Sequence, residues 1–151
     1  MTTERIMVPR LPAQLGYAGL LPFVMLSAAI WLAPATYQVL INQALLLYAS
    51  LILTFMGAVH WGLAMFQTPV DYRTQLGFSV VPALVAWIAL FLPEIINYSV
   101  LIIAFALLCL FDTRMSKLGR APNWYPQLRS PLTAVVIACL IVAQLQYLPL
   151  P

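Results

Sequence analysis

The chain has 151 residues, of which 64 % are hydrophobic and 7 % are charged, and its mean hydropathy is +0.96. Because soluble domains carry about 25 % charged residues, this composition excludes an ordinary soluble protein and indicates an integral membrane protein. The formal net charge of +3 predicts attraction to anionic lipid headgroups and calls for no nucleic-acid partner.

Five apolar stretches are long enough to cross a bilayer as helices, for which about 17 residues are needed. In chain order they cover residues 15–33, 43–66, 75–92, 95–111 and 131–147. None of them alternates apolar and polar residues with the period of two that a transmembrane β-strand requires. The predicted fold is therefore all-α: a single domain, 1–151, formed by a bundle of five transmembrane helices with a loop at 113–130.

The basic residues predict the orientation of the bundle, because they fall in the N-terminal tail, the second loop and the fourth loop, which share one side. They are Arg5, Arg10, Arg73, Arg114, Lys117, Arg120 and Arg129. By the positive-inside rule the N-terminus is cytoplasmic and the C-terminus is outside. We expect a multi-pass protein of the bacterial cytoplasmic (inner) membrane, with the 113–130 loop against anionic headgroups.

One competing interpretation of the first span is a cleaved signal peptide with its cleavage site at residues 33–35. The apolar region is longer than the usual 7 to 15 residues or so, and a proline lies inside the cleavage site. Both features favour a retained transmembrane helix.

Two prolines interrupt the predicted spans. Pro22 in the first span and Pro82 in the third each remove a backbone donor, which predicts a kink at both positions. Shaping of the bundle is the favoured interpretation, and a hinge for transport is the alternative.

Cys109 and Cys139 lie at different depths of the fourth and fifth spans. At a rise of about 1.5 Å per residue, roughly 8 Å along the membrane normal separate them. Since disulfide formation needs close Cα atoms, both are predicted to be free thiols.

The single histidine, His60, lies in the cytoplasmic third of the second span. Its neighbours on the helix surface are small or polar, and they include Ser50, Thr54, Gly57, Trp61 and Ala64. Small residues let another helix approach closely, so this stripe predicts an interhelical interface. We expect the His60 imidazole to face protein, because a polar ring in hydrocarbon costs a few kcal/mol without a partner.

Two charges near the cytoplasmic helix ends are placed unfavourably for the helix dipoles. Asp112 follows the fourth span and Arg129 precedes the fifth, for which Ser130 and Pro131 have the residue types of an N-cap and a first helical residue. Contact between the two ends would satisfy both charges and would give the carboxylate free N–H groups to accept from. Arg114 is the competing partner for Asp112.

The same prediction places further residues around the Asp112 carboxylate. Trp124 and Tyr125, in the 113–130 loop, are expected to fold over the ion pair. His60 is expected within about two helix turns of it.

Four pieces of the sequence together resemble a known bacterial and mitochondrial membrane family called domain of unknown function 3429. They are GAVHWGLA at 57–64, VPALVAW at 81–87, Asp112, and PNWYPQLRSPLT at 122–133. The resemblance implies a five-helix inner-membrane protein and supplies no catalytic residue. Its motif positions give a candidate ligand or functional cluster of His60, Trp61, Asp112, Trp124, Tyr125 and Arg129. They also give candidate packing positions at Gly57, Gly62, Pro82 and Trp87.

The motifs of intramembrane catalysis are missing from the sequence. There is no HExxH, GxSxG or CxxC motif and no pair of acids on one helix face, so no catalytic residue and no metal ligand is assigned. Haem held by two histidines is excluded in a chain with one. A ligand pair of His60 with Met25, Met56 or Met65 has no supporting pattern. The sequence therefore requires no cofactor and argues against an enzyme.

The favoured function is a non-enzymatic structural subunit or assembly factor of a membrane complex, whose partners are other inner-membrane proteins. The alternative is binding or shuttling of an amphiphile, a lipid or a quinone, at a cytoplasmic-leaflet site where Trp61 stacks and His60 donates a hydrogen bond. A proton pump or exchanger is a third reading, with His60 as its single candidate carrier.

Overall fold

The computed structural model describes residues 7–66 and 72–148, and Arg5 lies outside these ranges. The described residues form six α-helices and a closing 3-10 turn: α1 (Arg10–Ala18), α2 (Leu21–Leu32), α3 (Ala35–Ala64), α4 (Tyr72–Ala89), α5 (Glu94–Lys117), α6 (Tyr125–Gln144) and the turn Leu145–Tyr147.

Length and composition mark four membrane spans: Arg10–Leu32, which joins α1 and α2, then Ala35–Ala64, Glu94–Lys117 and Tyr125–Tyr147. The apolar part of α4, Arg73–Ala89, is shorter and close to the minimum of about 17 residues for a crossing. The predicted helical membrane bundle is confirmed.

The helices form a closed ring in which α2, α3, α4, α5 and α6 each pack against their neighbours and α6 returns to α2. Helices α3 and α5 also touch across the middle of the ring, and α1 packs against α6. The described basic residues lie at the start of α1, α4 and α6 and around the end of α5, which the alternating directions bring to one end. We call this the basic end of the bundle.

Several helices extend beyond the apolar stretches that predicted them. Helix α3 already begins at Ala35, α5 continues through Asp112 to Lys117, and α6 begins at Tyr125. The connection between α5 and α6 is therefore residues 118–124, and the expected loop at 113–130 is wrong. Hydropathy marks the depth of the lipid, whereas helical hydrogen bonding continues into the interface wherever the residues allow it.

The predicted start of the last helix at Ser130 and Pro131 is also wrong. Pro126 lies in the first turn of α6, where a missing N–H costs nothing, and Pro131 lies inside the helix. The Ser130 hydroxyl donates to the Pro126 carbonyl at 2.9 Å, so it bonds within the helix and does not cap it.

The first span is interrupted close to Pro22, where a kink was expected. Helix α1 ends at Ala18, and α2 begins at Leu21 with a proline in its first turn. The Tyr48 hydroxyl of α3 donates to the Gly19 carbonyl at 2.9 Å, which satisfies a backbone group that lipid could not. Pro82 lies inside α4, where a kink stays a prediction.

The two cysteines are free thiols, as predicted. Polar side chains join the helices at the end of the bundle away from the cations. The Tyr98 hydroxyl and the Gln146 amide both donate to the Asn42 side-chain oxygen, each at 2.7 Å. These bonds hold α3, α5 and the C-terminal turn together.

Helices α3 and α4 approach closely at Gly57. A Cβ added to this glycine would lie 2.8 Å from the Ser79 carbonyl oxygen and 2.9 Å from Cγ of Pro82. The other two predicted packing positions, Gly62 and Trp87, make no such close contact. Among the described residues, no atom lies within 4 Å of such a Cβ at Gly62, so Gly62 is not a position of close helix packing within this part of the bundle, contrary to the prediction. Trp87 is 61 % exposed and lies mainly on the exterior, where its ring contacts Phe91.

We expect Gly57→Ala to destabilise the protein by about 1–3 kcal/mol, because neither the Ser79 backbone nor the Pro82 ring can give way cheaply. Gly62→Ala is the matched control in the same helix. It should be neutral or stabilising by up to about 1 kcal/mol, since alanine favours a helix and meets no neighbour there. Unfolding in mixed detergent micelles measures both. Equal stability of the two variants would contradict close packing at Gly57.

Candidate functional site

Four helices each bring one polar side chain to the interior at the basic end. These residues are His60 on α3, Gln75 on α4, Asp112 on α5 and Arg129 on α6. His60, Gln75 and Asp112 are 0 % exposed, and Arg129 is 4 % exposed. We call these four residues the buried cluster.

The hydrogen bonds of the buried cluster converge on the carboxylate. His60 Nε2 lies 2.5 Å from Asp112 Oδ1, and Arg129 Nε donates to Asp112 Oδ2 at 2.7 Å. Gln75 Nε2 lies 3.3 Å from His60 Nδ1. With the amide nitrogen as the donor, Nδ1 accepts, and Nε2 then carries the proton that faces Asp112.

This arrangement balances its charges inside the bundle. The carboxylate accepts one N–H at each oxygen, and the guanidinium cancels its charge. Removing either ion of such a pair would leave the other uncompensated in a low-dielectric interior. The ion pair as a whole is neutral, which is what a membrane-embedded position requires.

The chain reversal between α5 and α6 brings Asp112 and Arg129 together. Gly119 adopts a left-handed φ of 71°, which glycine does without steric cost. The Arg120 N–H bonds to the Met115 carbonyl and the Gly119 N–H to the Ser116 carbonyl, each at 2.9 Å. This is a Schellman motif, and it lets α6 return antiparallel along α5.

The predicted contact between Asp112 and Arg129 is confirmed, although its basis differs from the prediction. Both residues lie within helices, and no side chain caps the N-terminus of α6. The carboxylate therefore bonds to side chains where free helix N–H groups were expected. Arg114 is exposed on α5 and does not displace Arg129 as the partner.

Aromatic rings enclose the buried cluster on two sides. Phe111 meets the His60 ring edge-to-face at 4.9 Å and stacks on Phe78 at 3.6 Å. At the basic end Trp124 and Tyr125 are in contact with each other, and Tyr125 interacts electrostatically with both Asp112 and Arg129.

Three of these residues were not predicted from the sequence. Phe78 and Phe111 are ordinary apolar residues of their spans, and nothing in the sequence marks them. Gln75 could have been predicted, because it is an amide at the cytoplasmic end of the third span and lies at the expected depth of His60.

Trp61 does not belong to the site, and the predicted pairing of Trp61 with His60 around one ligand is wrong. Trp61 is 47 % exposed on the exterior of α3, whereas His60 is enclosed. Successive residues of a helix point about 100° apart, so neighbours in sequence face different surroundings. Both ring nitrogens of His60 are engaged by Gln75 and Asp112.

Among residues 7–66 and 72–148, no group of three or more His, Cys, Asp or Glu side chains is placed to hold a metal ion. The chemistry of the described site is therefore that of its imidazole, carboxylate, guanidinium and amide.

The sequence was compared with known protein families and with individual proteins. The family model described as "Protein of unknown function (DUF3429)" matches residues 8–145. The chain belongs to this family. It is also similar to Transmembrane protein 69 of Xenopus tropicalis, with 31 % identity over 136 residues that cover 88 % of the chain and 53 % of that relative. The chain thus spans about half the length of the relative. No solved structure matches.

The DUF3429 match contains the whole buried cluster as well as Trp124, Tyr125 and the Gly57 contact. The resemblance found in the sequence motifs is confirmed. The similarity to a transmembrane protein and the apolar helices together indicate a multi-pass membrane protein, and the family description brings no activity with it.

We expect single replacement of Asp112 or Arg129 by leucine to cost about 3–5 kcal/mol each, because each leaves its partner as an uncompensated buried charge. The double replacement should cost well below the sum of the two single costs, since it removes both charges. Arg114→Leu, an exposed cation two residues from Asp112, is the control and should change stability by less than about 0.5 kcal/mol. A double-mutant cycle of unfolding in detergent measures the coupling, and additive costs would contradict the ion pair.

Proposed function

We propose that this DUF3429 protein is a non-enzymatic structural subunit or assembly factor of a membrane complex. The observation that carries the proposal is the enclosure of His60 and Asp112, which are both 0 % exposed and bonded to each other. An acid or base that acts in catalysis must come within hydrogen-bond reach of a reactant. Among the described residues, the two groups bond only to other side chains of the bundle.

The buried cluster has a clear structural use. It connects α3, α4, α5 and α6 through hydrogen bonds at one end of the bundle, where apolar packing alone gives little orientation in lipid. A bundle held in this way presents a fixed exterior to other membrane proteins, which is what a subunit needs.

The location we propose is the bacterial inner membrane, with the basic end in the cytoplasm. The support for this orientation is the grouping of the described cations at one end, in accordance with the positive-inside rule. Anionic headgroups would then lie against Arg114, Lys117 and Arg120 around the connection between α5 and α6.

A specific observation also supports the second candidate, amphiphile binding, at a position other than the one first expected. Arg129 borders an apolar cleft of the bundle, while His60 lies behind it in the interior. A cleft with one polar group fits the general form of a ligand site. This candidate is independent of the subunit role.

Site-specific photocrosslinking in native membranes tests the subunit proposal. A benzophenone side chain is placed in turn at one exposed position on each long helix: Trp31, Trp61, Trp87, Leu110 and Ile141. We expect one or two adjacent positions to give a reproducible protein adduct of defined mass, because a docking face covers part of the circumference. The matched control for Trp31 is the same side chain at Met25, an exposed position about 120° away around α2, which shows whether an adduct is specific to one face of the helix. Lipid adducts alone at every position would contradict the proposal.

A further inference from the structure

Arg129 bonds to Asp112 within the buried cluster and also lines a cleft between α1, α2, α3, α5 and α6. The cleft has a volume of about 110 Å³, and its other lining residues are almost all apolar. They include Leu15, Gly16, Gly19, Leu20, Phe23 and Met56. Arg129 is the single charged residue among the described residues of this lining.

Arg129 has a hydrogen-bond donor that the described residues leave unused. Its Nε donates to Asp112, but Nη2 is buried and has no partner. A buried donor without an acceptor costs about 1–3 kcal/mol, and in a membrane no bulk water replaces the acceptor. The Tyr125 and Thr133 hydroxyls, one turn to either side on α6, are likewise buried without a partner. The polar face of α6 therefore has unused hydrogen-bonding capacity at and around Arg129.

The cleft is open to the lipid phase. Leu15 of α1 and Phe55 of α3 both line it and are both largely exposed on the bundle exterior. Gly16 and Gly19, at the break between α1 and α2, add no side chain to its wall. The Gly19 carbonyl is already bonded by Tyr48, so it does not compete as an acceptor for Arg129.

We propose that this cleft binds the carbonyl end of a membrane amphiphile, whose apolar chain extends between Leu15 and Phe55 into the bilayer. The carbonyl oxygen accepts a hydrogen bond from the Arg129 guanidinium. A volume of about 110 Å³ is smaller than the apolar cavity of about 150 Å³ that holds a benzene, so the cleft admits an ester group or part of a ring. Most of the ligand therefore stays in lipid.

The charge balance of the buried cluster selects the class of acceptor. The Arg129 charge is already cancelled by Asp112. A second anion at Arg129 would compete with Asp112 and leave a net negative charge in a low-dielectric region, whereas a neutral carbonyl completes the hydrogen bonding alone. A quinone and a glycerolipid ester both supply such a carbonyl.

Binding is measured by calorimetry on the purified full chain in maltoside micelles, which contain no carbonyl. The probes are a benzoquinone with a single isoprenoid unit, monoolein, oleate as an anion, and squalene as a hydrocarbon without an acceptor. We expect saturable 1:1 binding of at least one neutral carbonyl probe, and the stronger of the two identifies the source. Oleate and squalene should bind at least about tenfold more weakly, since a hydrogen bond to a charged donor contributes about that factor or more.

Two variants and a control test the location of the site. Met56→Trp fills the cleft while residue 129 stays arginine, and this variant should weaken binding at least tenfold. Met25→Trp makes the same change on the lipid-facing side of α2 and should bind as the wild type does. Arg129→Lys keeps a cation for Asp112 but loses the guanidinium fork, so it should remain folded and bind about tenfold more weakly.

Helical circular dichroism and a monodisperse elution profile establish that each variant is folded. Unchanged binding to folded Met56→Trp would overturn the proposal, as would equal binding of squalene, tighter binding of oleate, or no binding of either carbonyl probe to the wild type. Loss of crosslinked protein partners bears on the subunit role alone and leaves this site unaffected.

Discussion

The ion pair between Asp112 and Arg129 is the interaction on which the basic end of the bundle depends. A membrane interior tolerates a charge only when a partner cancels it and hydrogen bonds satisfy its remaining atoms. Here the guanidinium supplies the countercharge and one donor, and His60 supplies the second donor. The carboxylate consequently fixes α3, α5 and α6 relative to one another, and Gln75 extends the same network to α4.

Because Gly57 has no side chain, α3 and α4 approach closely enough for their part of this network to form. Gly57 lies one turn before His60 on α3, and Ser79 lies one turn after Gln75 on α4. The backbone contact of Gly57 with Ser79 and the amide contact of Gln75 with His60 are therefore neighbouring steps of one helix pair. Close packing and polar contact support each other, because a side chain at position 57 would move Gln75 away from the imidazole.

The sequence predicts features that depend on composition and charge, and it fails where direction around a helix matters. The apolar spans, the side of the cations and the pairing of Asp112 with Arg129 follow from the cost of polar groups in lipid. The helix ends do not, because α5 and α6 continue into the interface on polar residues. Trp61 and Gly62 follow His60 directly in the chain, yet they point to the exterior, since a helix turns about 100° per residue.

Arg129 contacts both the interior of the bundle and the cleft, so it links the interior to the lipid-facing surface. The Arg129 guanidinium donates a hydrogen bond to Asp112, and Arg129 also lines the cleft beside α1 and α2. An acceptor in the cleft would share the guanidinium with the carboxylate, so it would act on the ion pair that orders the four helices. In a planar guanidinium the donors are fixed in one fork, and a shift that improves one bond changes the geometry of the other. Occupancy of the cleft would thereby be coupled to the packing of α5 against α6 at the basic end through the Arg129 side chain.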